Sequence, residues 1–357
     1  MRHKIAMLLP LLGVLACAAP SRAEAPLPIR VVVVNTFQIG GDTSGEPGEA
    51  ENWVKNLPLP TALPFPQGER DLRYNAELQV LEIVTGEGPT RMASALTALG
   101  YDPRFDLTHA YWLLSGIGGI DPNVGSPGSA AWASYVIDGD LAYEIDARQI
   151  PSDWTTGYVP LGRASPYQKP VPPVSSINGV NLFALNNGLV AWALAFSKKH
   201  ASLPDDANLQ TLRAQYTDYP KGQQPPAIIA GDVMGSGTFW LGSLFNTWAE
   251  DWTTYWSKGK AHFTITSEED AGFMQALTYM ANANVVDLNR VMVLRGASNF
   301  DLPPPGQTTA ELLAGEANGT GYSGFIESLS AAYVAGAPVV LELAQHWGKY
   351  RDMIPSN

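Results

Sequence analysis

Short apolar runs alternate along the chain with stretches whose apolar positions recur every three or four residues, and this alternation predicts an α/β layer fold. Ile29–Asn35 (IRVVVVN) is a continuous β-branched run, the pattern of a strand buried on both faces. Leu78–Thr85 reads as a second strand, and Arg91–Leu99 as a helix stopped by Gly100. His109–Ser115 predicts a third strand that runs straight into Gly116-Ile117-Gly118-Gly119. Ala130–Ile137 alternates with a strand period, while Ala227–Ala230, His262–Thr266 and Arg290–Leu294 read as short buried strands. Glu269–Met280 and Gly324–Tyr333 read as helices. Gly179–Ser197 and Tyr333–Ala344 are apolar enough to raise the question of a membrane span. Asn181, Asn186 and Asn187 interrupt the first, and Pro338 and Glu342 the second, so both are expected to be buried helices. Phe245, Trp248, Trp252 and Trp256 are spaced as one helical face, which predicts core packing for most of them.

Between these elements lie segments without periodicity. Asn52–Asp71 reads as loop, and Asp205–Pro226 as a helix followed by a Pro-rich connector. The stretch 150–176 carries Pro151, Pro160, Pro166, Pro170, Pro172 and Pro173, which excludes a central strand or helix interior. No repeat and no dividing linker is visible, so residues 24–357 are expected to form one domain with Pro-rich insertions near 150–176 and 205–226. At the front, Arg2 and Lys4 precede an apolar stretch, Ile5–Ala19, and then Pro20-Ser21-Arg22-Ala23. This is the pattern of a secretory signal peptide over residues 1–23, and it predicts an exported protein, periplasmic or secreted. The single cysteine, Cys17, lies inside that leader, and Leu15 makes its surroundings a poor lipoprotein site. Cleavage after Ala23 would leave neither a disulfide nor a cysteine nucleophile.

The charge balance narrows the function. Lys and Arg total 22 against 34 Asp and Glu, a net charge of −12, and no basic run is present, which excludes a duplex nucleic-acid binder. Neither G-x-S-x-G nor H-E-x-x-H occurs, and His109, His200, His262 and His346 are scattered, so no catalytic triad, metal centre or cofactor is expected. What remains is a glycine stretch and three polar sets. Gly116, Gly118 and Gly119 follow a buried strand and permit close backbone approach to an anion or hydroxyl, or simply a tight turn. Their spacing is not that of a dinucleotide fingerprint. Glu46, Glu49 and Glu51 follow the first strand. Glu268-Glu269-Asp270 opens a helix, where acidic residues also serve to complement the helix dipole. Arg295, Ser298, Asn299 and Asp301 follow the Arg290–Leu294 strand. In an open α/β sheet ligands bind off the carboxyl ends of strands, so these sets are placed to converge on one rim.

Four motifs in order, IRVVVVNTFQIGGD, THAYWLLSGIGGIDPNVGSPGSAAWASYVIDGDL, TSEEDAGFMQAL and VMVLRGASNFDLPPPGQ, resemble the purine nucleoside permease family. Through it the chain resembles the nucleoside phosphorylase and nucleosidase superfamily, whose strand-turn-helix is similar to EIVTGEGPTRMASALTAL. The resemblance implies a three-layer αβα fold with a twisted mixed central sheet, and a purine nucleoside as ligand. It places Gly116, Gly118 and Gly119 in the glycine turn, and Gly231-Asp232 ahead of a base-stacking aromatic, Phe239 or Trp240. It places Glu269 on the ribose hydroxyls and Ser298-Asn299 at the purine around N7. Asp301 is the candidate proton donor, because an asparagine at 299 cannot protonate the departing base. The phosphorylases of that superfamily hold phosphate with arginines in the first loop and beside the glycine turn. Neither Asn35–Asp42 nor Ser115–Asp121 contains Arg or Lys. Hydrolysis is therefore expected, with Glu49 or Glu51 activating water. The alternatives are phosphorolysis, or an exported nucleoside-binding component of uptake without turnover. No membrane span is expected in the mature chain, and the oligomeric state is left open.

Overall fold

The computed structural model describes residues 25–168, 181–318 and 324–356. The expected leader with Cys17, and part of the Pro-rich stretch, lie outside these residues.

A mixed sheet of 12 strands forms the middle layer. Val31–Asn35, the predicted β-branched run, is buried along its length between two parallel neighbours, Val80–Val84 and Tyr111–Ile120. Val80–Val84 continues outward through the antiparallel strands Leu72–Asn75 and Thr61–Leu63. On its other side Tyr111–Ile120 pairs in parallel with Val291–Phe300 along its whole length. At Ile120 it also meets Phe263–Ser267 in the antiparallel sense. From there the sheet runs through Asp232–Gly235 and Tyr135–Asp138 to Leu182–Ala184. Val291–Phe300 carries a branch of its own, Ala130–Trp132 and then Ile228–Ala230. Helices flank the sheet. Pro89–Gly100 packs on Asp270–Asn282, and Phe325–Gln345 packs across Val291–Phe300 and Tyr111–Ile120 beside Asn187–His200.

Several elements differ from the sequence reading, each for a local reason. The glycines do not end the third strand, because Tyr111–Ile120 runs through them and they provide close packing within the sheet. A Cβ at Gly118 would strike the Thr266 carbonyl oxygen, and one at Gly116 the Arg295 guanidinium. Val291–Phe300 likewise runs well past Leu294, so Arg295, Ser298 and Asn299 sit on a strand rather than after one. The expected Ala130–Ile137 strand is two strands, Ala130–Trp132 and Tyr135–Asp138, which join different partners. Gly179–Ser197 is not one buried helix: the short strand Leu182–Ala184 precedes the helix Asn187–His200, which Asn186 caps by accepting from the Gly188 and Leu189 amides. The expected loop Asn52–Asp71 contains most of the helix Glu49–Asn56 and the strand Thr61–Leu63. The last long helix, Phe325–Gln345, takes in both Gly324–Tyr333 and Tyr333–Ala344 and carries Pro338 inside it. By length and composition it could cross a bilayer, but more than half of its most apolar window is buried inside the protein. Among the described residues no other helix has that length and composition.

Large aromatic side chains fasten the layers. Trp132 and Trp53 are fully buried and both are hydrogen-bonded. Trp132 Nε1 donates to Ser197 Oγ (3.1 Å), which donates to the Ala335 carbonyl (2.7 Å), tying a strand to two helices. Trp53 Nε1 donates to Ser115 Oγ (3.1 Å), fixing the helix Glu49–Asn56 to the central strand. Truncating either indole to alanine costs about 3–5 kcal/mol. The Trp53 anchor also bears on function, since it sets the position of Glu49, the first residue of that helix.

Candidate functional site

A cavity of about 610 Å³ opens where the central strands end. Four elements supply its polar floor. From the first loop and helix come Thr36 and Glu49, from the central strand Ile117, Gly118 and Gly119, from the Phe263–Ser267 strand and the turn after it Thr266, Glu268 and Glu269, and from the long Val291–Phe300 strand Arg295, Ser298 and Asn299. Aromatic and aliphatic groups, Phe37, Phe239, Trp240 and Phe325 among them, form the walls. A mostly apolar cleft with a few convergent polar groups is the usual form of a small-molecule site.

Arg295 organises the floor. It is 1% exposed, and one guanidinium is shared by three carboxylates. Its Nη2 donates to Glu269 (3.0 Å) and to Asp270, its Nη1 lies 3.9 Å from Glu49 and donates to the Ile117 carbonyl (3.0 Å). Burial opposes its charge, but the carboxylates outweigh burial and hold the guanidinium above its ordinary value. Sequence reading placed Arg295 in a polar set but gave it no role in the site. The available signal was a charged residue in the middle of an apolar strand run, VMVLRGASNF, which is seldom tolerated unless paired.

Glu49 is held at both oxygens. One accepts from the Thr36 amide (2.6 Å) and hydroxyl (2.7 Å), the other from the Ile117 amide (2.9 Å). Burial, and secondarily the neighbouring Glu269, push its carboxyl up to about 7 despite the pull of Arg295 and Thr36. The glycine stretch is therefore not an empty anion cradle. The Ile117 amide is taken by Glu49 and the Gly119 amide by Thr266 Oγ1 (2.8 Å).

Glu269 caps the helix Asp270–Asn282 by position but makes no capping hydrogen bond. Its carboxylate instead accepts from the Gly88 amide (3.2 Å) and Arg295, and burial raises it above the ordinary carboxylate value. Opposite, the pairing register slips between Ala297 and Asn299, a β-bulge that re-aims Ser298. Ser298 Oγ lies 3.1 Å from the Gly118 carbonyl and donates its one proton to the nearer acceptor, Asn299 Oδ1 (2.7 Å), which presents the asparagine amide in a fixed orientation.

The structure separates the twelve residues singled out in the sequence. Glu49, Gly118, Gly119, Phe239, Trp240, Glu269, Ser298 and Asn299 line the cavity. Gly116 lies beneath it, packed under Arg295 and Glu49. Glu51 faces a separate hollow of about 310 Å³, and its carboxylate accepts from the Gly45 amide (2.9 Å). Asp232 is spent on the backbone amides of Ser134, Tyr135 and His262, tying three chain segments together. Asp301 is fully buried off the cavity, where Asn246 Nδ2 donates to it (3.1 Å). Among the described residues no group of three or more His, Cys, Asp or Glu is arranged to hold a metal ion.

Comparison with known proteins places this geometry. Residues 28–355 match the family described as Purine nucleoside permease (NUP). A purine nucleoside permease of Candida albicans is 29% identical over 306 residues, covering 84% of this chain and 72% of its own. A probable purine nucleoside permease of Schizosaccharomyces pombe is 32% identical over 280 residues, covering 76% of this chain and 78% of its own. Among solved structures, the 5'-methylthioadenosine/S-adenosylhomocysteine nucleosidase of Neisseria meningitidis superposes with a TM-score of 0.50 at 11% identity, over 88% of this chain and 98% of that one. That likeness shows the fold, the layered αβα arrangement of the nucleoside phosphorylases and nucleosidases. With a match over nearly all its described length, this chain belongs to the purine nucleoside permease family.

Proposed function

We propose that the protein binds purine nucleosides in this cavity and cleaves their N-glycosidic bond by hydrolysis, releasing base and sugar. The observation that carries the reading is the state of Arg295: it is the sole cation among the described residues lining the cavity, and three carboxylates already consume it. A phosphate dianion entering beside Glu49 and Glu269 would meet like charge and no uncommitted cation, whereas water meets a well-placed base.

The roles follow from position. Glu49, poised near neutrality, takes the proton from water. Glu269 accepts from sugar hydroxyls, and its charge favours the oxocarbenium character that develops as the bond breaks. The side-chain amide of Asn299, oriented by Ser298, donates to the purine as it leaves with negative charge. Phe239 and Trp240 stack on the base. The leader read at residues 1–23 would deliver this activity outside the cytoplasm.

A second reading is a nucleoside-binding component of uptake that performs no chemistry, and the names of the Candida and Schizosaccharomyces relatives favour it. Incubating the purified protein with adenosine or inosine, with and without phosphate, and resolving products by chromatography separates the two. Free base and ribose in the absence of phosphate are expected. Ribose 1-phosphate formed only with phosphate overturns the hydrolytic reading, and bound but intact nucleoside favours the binding one.

A further inference from the structure

Two carboxylates in the cavity have no part in the chemistry above. Glu87 and Glu268 both line it, and they flank Glu269 from two directions. Glu268 precedes Glu269 in the chain. Glu87 reaches it through the turn Gly86-Glu87-Gly88, whose Gly88 amide donates to the Glu269 carboxylate (3.2 Å). Both turn glycines have positive φ (88° and 89°), which fixes Glu87 at the apex of a turn that few other residues could form. Arg91, on the following helix, donates to the Glu87 carbonyl (3.4 Å) and does not line the cavity. Glu268 feels the charges of Glu269, Glu87 and Asp140, and burial together with these neighbours pushes it up to about 7. The side of the cavity around Glu269 is thus acidic, and Arg295 behind it is neutralised by its own partners.

We propose that Glu87 and Glu268 form a charge filter beside the sugar, admitting nucleosides whose sugar substituents are neutral or cationic and rejecting phosphorylated ones. This rests on the reading that Glu269 grips the sugar. A phosphomonoester dianion placed within several ångströms of two ionised carboxylates is repelled by each, on the order of tenfold in affinity per carboxylate at an effective dielectric constant near that of a protein surface. An ammonium group in the same place is attracted by a similar factor.

The test uses three probes that share base and ribose and differ only in charge: adenosine, 5′-amino-5′-deoxyadenosine and adenosine 5′-monophosphate. Dissociation constants are measured by calorimetry at pH 8, where Glu268 is mostly ionised, at low and high salt, for the wild type and the E87Q/E268Q double variant. The expected order of affinity is amine, then adenosine, then monophosphate. The variant should weaken the amine and strengthen the monophosphate by about a hundredfold each, with little change for adenosine, and salt should compress the spread in the wild type. Equal affinity for all three probes, or an unchanged spread in the variant, overturns the filter and leaves the nucleoside reading standing. Failure to bind any of the three overturns that reading and the filter with it.

Discussion

The protein buries two acidic groups that behave in opposite ways. Glu49, Glu269 and Asp270 share a buried guanidinium and border a cavity. Asp121 and Asp301, each one residue beyond the ends of the strands Tyr111–Ile120 and Val291–Phe300, are fully buried, form no ion pair with a cation among the described residues and do not line that cavity. Asp121 accepts from the Asn123 amide and side chain, Asp301 from Asn246, and one oxygen of each (Oδ2 and Oδ1) has no partner among the described residues. Burial raises Asp301 well above its ordinary value, with Asp121 adding to the shift, so burial favours its protonated form. The difference teaches that burial by itself does not make an acid functional. The first group combines a counter-charge, which keeps charge inside, with an opening that a ligand can enter, and among the described residues the second has no such counter-charge and stands off that opening.

The largest effect expected is on Glu49. Glu49→Gln keeps the shape and the Thr36 contacts but removes the base, and nucleoside hydrolysis should fall by about 10²–10⁴-fold while the protein stays folded. The wild type should show kcat/KM rising with pH through about 7, as Glu49 ionises. Stability should run the other way. The folded value lies above the ordinary 4.5, so the folded state binds more protons between those values and stability falls as pH rises across that window. A rate that is flat from pH 5 to pH 9, or a Glu49→Gln variant of full activity, would remove Glu49 from the chemistry.

Arg295→Met comes next. It leaves three buried carboxylates without their cation, and about 3–5 kcal/mol of stability should be lost, read as a lower midpoint in urea unfolding. In any protein that survives, Glu49 loses its main stabilising charge, so the pH–rate profile should move toward the alkaline side. A variant as stable as the wild type would show that the carboxylates are neutral in the folded protein, and the contrast with Asp121 and Asp301 would vanish.

How much of this was legible in the sequence follows the same division. The strand Val31–Asn35 and the helix Asp270–Asn282 announce themselves by period, because their side chains answer to a core whose direction the chain itself reveals. The reach of Val291–Phe300 was hidden: Arg295, Ser298 and Asn299 look like the end of a strand, and only the pairing with Tyr111–Ile120 keeps them in the sheet. Glu49 and Asn299 emerged from polar clustering and family resemblance, yet nothing local separated Glu49 from Glu51. That distinction depends on a helix whose start is fixed by Trp53 reaching Ser115, 62 positions away. The glycines misled for a related reason. Gly118 is there because the Thr266 carbonyl presses against it, a contact between strands far apart in sequence.

Asp301→Asn carries the smallest expected effect and probes the other half of the comparison. Burial favours the protonated aspartic acid in the fold, with no ion pair to a cation among the described residues, whereas in the unfolded chain it ionises in the ordinary range. Between its ordinary value of 3.8 and its raised folded value the folded state holds the extra proton, so this group costs stability as pH rises. An amide of the same shape can still accept from Asn246 and cannot ionise. The variant should therefore match the wild type at pH 4 and melt a few degrees higher at pH 8, a gain of about 1–2 kcal/mol. Hydrolysis should change by less than about threefold, well below the loss expected for an acid–base residue. A drop of tenfold or more would mean that Asp301 delivers a proton to the departing base after all, through a path the closed packing around it does not offer.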